Sequence, residues 1–376
     1  MLFRSCDGAA SFLQSGFWGA FKALFGWKAF AFRTVWNSAA GGEEKPLMVL
    51  HRSLARDLFS MAYVPWGPEL PAVFRPQGMS TDKSAEISGG DEGRWSALKD
   101  LAAALRKQLP SGTAFIRFDP PWFIESPDFS PPAPFVRSGA DIQPPDTVLI
   151  DISRPMETVI GEMKPKWRYN ARRALKKGVT VRRAEASEAE VFYGLLEETA
   201  RRDGIAVHSF DYYRTLLENN WYGGVKPESR LYLAEHEGDT LAGIVTLFRG
   251  REAVYLYGSS SDKKRNLMAP YALQLKAMED AKEAGCEVYD LFGIPPDDDP
   301  AHPMSGLFRF KTGFGGKIVH RPGSSDYPCR PLIYRLFRCA ETLRKKMRTL
   351  KKQKRKQRTE PAHQADESGE RQGAES

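Results

Sequence analysis

The sequence predicts an α/β (α+β) protein: two units in tandem, each a mixed, largely antiparallel sheet carrying helices. Three observations predict it. From residue 147 onward, a strand, helices, a three-strand meander, a helix and a strand follow in order. The first half carries a weaker version of that order. Between them, residues 120–145 hold eight of the chain's 26 prolines, which reads as a linker or an extended crossover. At roughly 100–200 residues per domain, 376 residues suit two such units. The expected boundaries are residues 1–146 for the first unit, completed by a C-terminal helix over 322–345, and 147–321 for the second. A basic, then polar, disordered tail over 346–376 closes the chain.

Each element has its own signal. Phe17, Ala20, Phe21, Leu24 and Phe25 recur at helical spacing, so residues 10–30 read as one amphipathic helix. KPLMVLHR at 45–52 is a short strand, and YVPWGPEL at 63–70 is a turn punctuated by Pro and Gly. Residues 76–93 are a polar loop, 95–108 a helix, and 114–120 a strand ending at Asp119. In the second half, 147–153 is a strand. Residues 155–177 are helical and very basic, with Gly178 as a C-cap. VTVRRA is a strand, 187–202 a helix and 209–219 another. The stretch from Arg230 to Ser260 reads as an antiparallel meander with turns at EGD and RGRE. A helix over 269–284, the strand EVYDLFG, a glycine-rich turn around Lys311, a strand near 317–320 and a long helix over 331–358 complete the chain.

The charge is localised. Residues 344–358 contain ten Lys or Arg and no acid, and the last 18 residues add five acids and one Arg. Taking these out of 55 basic and 47 acidic residues leaves 44 and 42 in residues 1–343, a nearly neutral body. A basic run of this kind attracts phosphates, on RNA or on an anionic leaflet, or is simply a solvated helix end. The four cysteines have no paired spacing, which excludes a disulfide framework or a zinc ribbon and fits a reducing compartment. The apolar N-terminus is too short and too polar for a membrane helix and lacks a signal-peptide layout. The expectation is a cytoplasmic protein, with peripheral contact at the inner membrane face left open.

Several residues carry candidate chemistry. Lys311 stands in Phe308-Arg-Phe-Lys-Thr-Gly-Phe-Gly-Gly316, among aromatics, glycines and backbone N–H groups. Such a setting suits stabilising negative charge on a carbonyl oxygen or phosphate. The plain alternative is a surface Lys in a glycine-rich turn; on either reading the Lys is expected to be exposed, so that its loss leaves folding little changed. Lys22 follows Trp18 by one helical turn, either as a site amine or as a Lys reaching past a core helix. Asp119 ends a strand before two prolines, where a carboxylate takes a proton from an attacking ammonium or merely forms a turn. In the basic helix Lys166, Arg168, Arg172 and Arg173 interleave with Trp167 and Tyr169, which suits a phosphate backbone or a solvated face. The six histidines form no metal-ligand spacing, and no covalent nucleophile motif is present.

Five separated blocks give a resemblance. SFLQSGFWGAFKALFGWKAFAF, YVPWGPEL, KPKWRYNARRALKKGV, the stretch from Tyr255 to Ile294, and LFRFKTGFGGKIV together look like the Fem aminoacyltransferases of peptidoglycan bridge synthesis, in order, over about residues 10–335. The resemblance implies tandem GNAT-like domains and transfer of an amino acid from aminoacyl-tRNA to a stem-peptide amine. The acceptor would be lipid II or UDP-MurNAc-pentapeptide, with no metal or coenzyme and the protein a monomer. It further implies that Lys22 meets a phosphate or diphosphate, that Tyr213, Tyr255 and Phe310 hold the precursor, that Lys311 lies near the reacting carbonyl, and that the basic helix takes tRNA. No long helical arm fits between Gly178 and Arg230, so this resembles the compact form.

One further departure separates the chain from acetyltransferases. Met268 and Pro270 stand where a pyrophosphate loop needs glycines, so the coenzyme site is expected to be lost. Some family members carry an Arg where His208 and Ser209 stand here, which puts that phosphate contact in doubt. Two other readings stay open: a GNAT-like acyltransferase with an acyl-coenzyme A donor, and a non-catalytic RNA- or membrane-binding adaptor.

Overall fold

Ser15 starts the first helix, α1 (Gly16–Ala23): its hydroxyl accepts the Trp18 N–H. The expected helix over 10–30 is confined to these residues. Gly26 takes a left-handed φ of 81° just past the helix end. Beyond it Phe30, Phe32 and Thr34 alternate in a strand, β1 (Lys28–Ser38), and the two-residue period overrides the helical one. The structure, a computed structural model, describes residues 3–38, 41–71 and 90–359. Most of the expected polar loop at 76–93 lies outside those residues.

The first sheet continues with β2 (Gly41–Leu54) and β3 (Phe59–Val64), then α2 (Gly90–Gln108) and β4 (Thr113–Phe118). The 120–145 segment supplies the short β5 (Val136–Arg137), so it is an extended crossover that joins a sheet and not a bare linker. The second sheet begins at β6 (Thr147–Asp151). Then come α3 (Met156–Glu162), α4 (Pro165–Lys176), β7 (Thr180–Ala184), α5 (Ala189–Asp203) and α6 (Phe210–Glu218). The meander is β8 (Glu228–His236), β9 (Asp239–Arg249) and β10 (Glu252–Ser260), followed by α7 (Ala269–Glu283) and β11 (Val288–Asp290). Residues around Lys311, expected in a turn, form α8 (Ser305–Thr312), before β12 (Lys317–Val319) and β13 (Ser325–Pro328).

The sheet orders are β1-β2-β3-β4-β13-β5 and β12-β6-β11-β10-β9-β8-β7. Both are built alike: an antiparallel meander, a helix, and a strand that returns parallel to the meander's last strand. That return needs a crossover, which α2 and α7 supply. Each sheet has its own core. Leu47, Val49, Val64, Leu98 and Phe118 fill the first. Val148, Ile150, Leu273, Tyr289 and Phe314 fill the second.

By contacts the chain divides into a unit ending at Cys329, which holds both sheets, and a unit from Arg330. The described part of the latter is one helix, α9 (Pro331–Thr359). Among the described residues, no helix is long and apolar enough to cross a membrane. None of their His, Cys, Asp and Glu side chains gather in threes as a metal site.

Candidate active site

Helix α1 turns Lys22 toward the second half of the chain. Its ammonium lies 5.7 Å from the Trp18 ring centre and 5.1 Å from that of Tyr212 on α6. The His208 ring stacks on Tyr212 at 3.9 Å and 15°. The Tyr257 hydroxyl, from β10, donates to the Tyr212 hydroxyl at 3.3 Å. Burial, and then the nearby Arg52 guanidinium, brings the Lys22 amine down to about 8. Burial, and then Lys22, holds the His208 imidazole below its usual range. Arg52 and His208 thus each oppose positive charge at Lys22 on an aromatic floor, an arrangement that an anion relieves.

Tyr213, expected to hold substrate, is buried beside this cluster. Its hydroxyl accepts the His208 backbone N–H at 3.3 Å, and its ring meets Phe192, Tyr193 and Tyr257. Tyr212 and Tyr257, which the sequence reading did not single out, are the tyrosines whose hydroxyls meet beside Lys22.

The second cluster centres on Lys311, in the last turn of α8. It is not an exposed turn lysine: only 6% of its surface is accessible. Its ammonium donates to the carbonyls of Phe292 (3.1 Å) and Gly293 (3.0 Å) and lies 5.0 Å from the Tyr255 ring centre. Burial pulls its amine down to about 7, against the opposing pull of Asp290. Tyr255 shares β10 with Tyr257, and a bulge lies between them. One strand therefore sends one tyrosine to Lys311 and the other to the Lys22 cluster. Phe310 packs on Tyr271 (5.3 Å) and Phe314 (5.1 Å).

Asp119 follows the end of β4, and Tyr63 and Ser324 donate their hydroxyls to its carboxylate. Burial raises its carboxyl to about 6, although both hydroxyl bonds favour the charged form. The backbone N–H of Gly67 donates to the Asp119 carbonyl at 3.1 Å. Next to Gly67, the Trp66 ring lies 5.5 Å from Phe292 and 4.1 Å from the Arg321 guanidinium. Asp119 is thus joined to the Lys311 cluster through Trp66 and Phe292.

Helix α4 packs beneath the same cluster. The Trp167 indole N–H donates to the Phe310 carbonyl at 2.8 Å, and its ring fills the space over Gly313, where a Cβ would come within 2.0 Å of it. Tyr169 turns outward, 60% exposed. Lys166 and Arg172 are exposed, and Arg173 is half-buried near Tyr169. Arg168 instead donates to the carbonyls of Gly161 and Met163, capping the end of α3. Among the described residues none of these four cations lies within ion-pair distance of a carboxylate.

At the start of α7, Met268 takes a φ of 60° and Pro270 falls in the first turn. Beside them a cavity of about 400 Å³ is lined in part by Lys263, Lys264, Arg265 and Asn266. Lys263 and Lys264 are already paired with Asp239 and Glu237.

Two sheets built alike, with lysine and tyrosine clusters drawn from both halves, define a tandem α/β fold that comparison makes specific. The model of the FemAB family matches residues 135–236 and 226–342, together more than half of the chain, and the chain belongs to that family. Among relatives, it is 23% identical over 253 residues to a "lipid II:glycine glycyltransferase" of Staphylococcus epidermidis, covering 52% of this chain and 61% of that one. The protein of the same name from Staphylococcus saprophyticus is 25% identical over 254 residues, with the same coverage. The chain thus spans about 61% of the length of these relatives. The crystal structure of FemX shares the fold, with a TM-score of 0.67 and 20% identity over 87% of this chain and 94% of that one.

Proposed function

We propose that the chain is an aminoacyl-tRNA-dependent transferase. It adds an amino acid to a stem-peptide amine of a peptidoglycan precursor, either lipid II or UDP-MurNAc-pentapeptide. One observation carries the reading. In a FemAB chain, two β10 tyrosines with one residue between them join two lysines, Tyr257 through Tyr212 to the half-buried Lys22 and Tyr255 to the buried Lys311. The names of the staphylococcal relatives support the substrate class.

The donor ester is already activated, so the chemistry asks for placement and charge. The acceptor amine attacks the ester carbonyl and a C–N bond forms. The carbonyl oxygen becomes an oxyanion, and collapse breaks the C–O bond to the tRNA's terminal ribose, whose oxygen leaves with a proton. Lys311 spends two N–H groups on the Phe292 and Gly293 carbonyls, and its third is the donor left for the oxyanion. Asp119, with a carboxyl near 6, suits accepting the amine's proton near neutral pH. Lys22 takes the precursor's diphosphate, Tyr255 and Phe310 line the path of its sugar and peptide with Tyr213 supporting it from beneath, and the outer face of α4 takes the tRNA backbone. A lipid-linked acceptor would bring this monomer to the inner membrane face; a nucleotide-linked one would not.

The test is a transfer assay with the full set of charged tRNAs on both acceptors, read by mass spectrometry of the muropeptide. Transfer of one amino acid from its tRNA is expected. Acylation from acetyl-coenzyme A with no transfer from any tRNA would overturn the proposal.

A further inference from the structure

Asp290 ends β11 fully buried, at 0% exposure, and lies outside the chemistry just described. Its Oδ1 accepts the Thr147 hydroxyl and, at 2.7 Å, the backbone N–H of Phe292 two residues on. That second bond is an Asx turn. It holds Phe292 at a φ of 55°, a left-handed conformation that a bulky aromatic rarely takes. The turn stops β11 at Asp290, although the sequence reads as strand through Gly293. It also aims two successive carbonyls, Phe292 and Gly293, at the Lys311 ammonium. The other oxygen, Oδ2, is buried and has no hydrogen-bond partner among the described residues.

We propose that Asp290 is the positioning residue of Lys311: its Oδ1 holds the turn whose two carbonyls receive the ammonium, and its carboxylate is the ammonium's counter-charge. This rests on the reading of Lys311 given above. An unpartnered buried oxygen would ordinarily be costly. It fits a carboxylate whose charge is balanced through space by cations on neighbouring elements. Burial raises the Asp290 carboxyl; against it, Arg321 just after β12 and, less strongly, Lys311 from α8 favour the charged form. The other titratable groups near the pair are Tyr289 on β11, whose hydroxyl is pushed up by burial and also by Asp290, and two residues of β10. Glu252 opposes the charge on Asp290, and the Tyr255 ring faces Lys311. Burial drives Lys311 toward neutrality, and Asp290 is the group that resists it. Without that charge, Lys311 would lose its proton at lower pH.

The experiment follows the Lys311 titration directly, by carbon–proton NMR of the full chain carrying lysine labelled at Cε, with the signal assigned by its loss in Lys311→Met. Asp290→Asn keeps an oxygen for the Phe292 N–H and removes the charge. The Lys311 midpoint should move to lower pH by about one unit. Thr147→Val, which withdraws a donor from the carboxylate, should move it the same way by less. Asp290→Ala loses the turn as well and should cost turnover about a hundredfold more than Asp290→Asn. An unmoved midpoint in folded Asp290→Asn overturns the inference. Wild-type transfer by Lys311→Met overturns instead the catalytic reading of Lys311, and the NMR arm still decides what Asp290 does.

Discussion

The Lys22 ammonium stands 5.1 Å from the centre of the Tyr212 ring, and the two residues come from opposite halves of the chain. Helix α1 is held there by aromatic contacts: Phe17 stacks on Trp221 at 5.2 Å, and Phe21 meets Tyr212 edge-on at 4.7 Å. Each half supplies one wall of a site that neither completes alone. Lys22→Ala should therefore weaken binding of UDP-MurNAc-pentapeptide by about 10–100-fold, the scale of a charge-assisted hydrogen bond. Turnover at saturation should hold. Calorimetric titration of the precursor measures the first and a saturated transfer assay the second. A fall in kcat with unchanged affinity would remove Lys22 from phosphate binding.

His208 should make that binding depend on pH. In the free protein, burial and Lys22 keep its imidazole below the usual value. A diphosphate against Lys22 reverses the local charge and raises it, so the complex holds a proton that the free protein lacks. Affinity gained from that proton is full below the free-protein value and fades as pH rises through the bound one. Binding should weaken as pH rises from below the ordinary imidazole value to above it, with proton uptake seen as a heat that varies with the buffer's ionisation enthalpy. His208→Ala should flatten both.

How much of this was legible in the sequence depends on the range of the cause. The meander, α5 and α7 follow from periodicity and turn residues within a few positions, and the sequence reading finds them. The short α1 was misread because Phe and Ala suit both periods. Gly26, which decides between them, acts through a backbone angle. The burial of Lys311 was not legible, since Phe292 and Gly293, which hold it, are 19 and 18 residues away. Tyr212 and Tyr213 are adjacent in sequence, and only the packing of α1 on α6 separates the one beside Lys22 from the one beneath it.

Lys311→Met should lower transfer by about 2–4 kcal/mol of transition-state stabilisation, the scale of one oxyanion donor. Because the lysine is buried, stability should fall too, by about 1–3 kcal/mol for two carbonyls left without their donor. Chemical denaturation and single-turnover transfer separate the two losses. An unchanged denaturation midpoint would mean that the 292–293 turn stands without Lys311.

Asp119 links pH to stability with an unusual sign. Burial raises its carboxyl to about 6 from 3.8, so between these values the folded state binds the proton and the unfolded state does not. Its contribution is full below the unfolded value and is lost as pH rises through the folded one. Asp119→Asn should therefore be as stable as wild type or more so at pH 7.5, by up to about 2 kcal/mol, and no more stable at pH 4. Transfer should fall if the carboxylate takes the amine's proton. Denaturation at the two pH values checks the first statement, and a variant both destabilised at pH 7.5 and fully active would refute the pair.

The outer face of α4 should bind charged tRNA as a phosphate surface. Trp167 is committed inward, under Gly313 and against the Phe310 carbonyl, so the helix is fixed beneath Lys311. Lys166, Arg172 and the outward Tyr169 then form a face without carboxylate partners among the described residues, while Arg168 is engaged in capping α3. Each phosphate contact releases counterions, so affinity falls with salt in proportion to the number of contacts. Lys166→Ala with Arg172→Ala should weaken binding of charged tRNA at low salt and reduce the salt slope by about two contacts' worth. Arg168→Ala should leave the slope unchanged and lower the denaturation midpoint, because its guanidinium is spent on backbone carbonyls. Filter binding across a salt series reads all three variants. An unaltered slope in the Lys166/Arg172 pair would show that this face is only solvated and that the tRNA is held elsewhere.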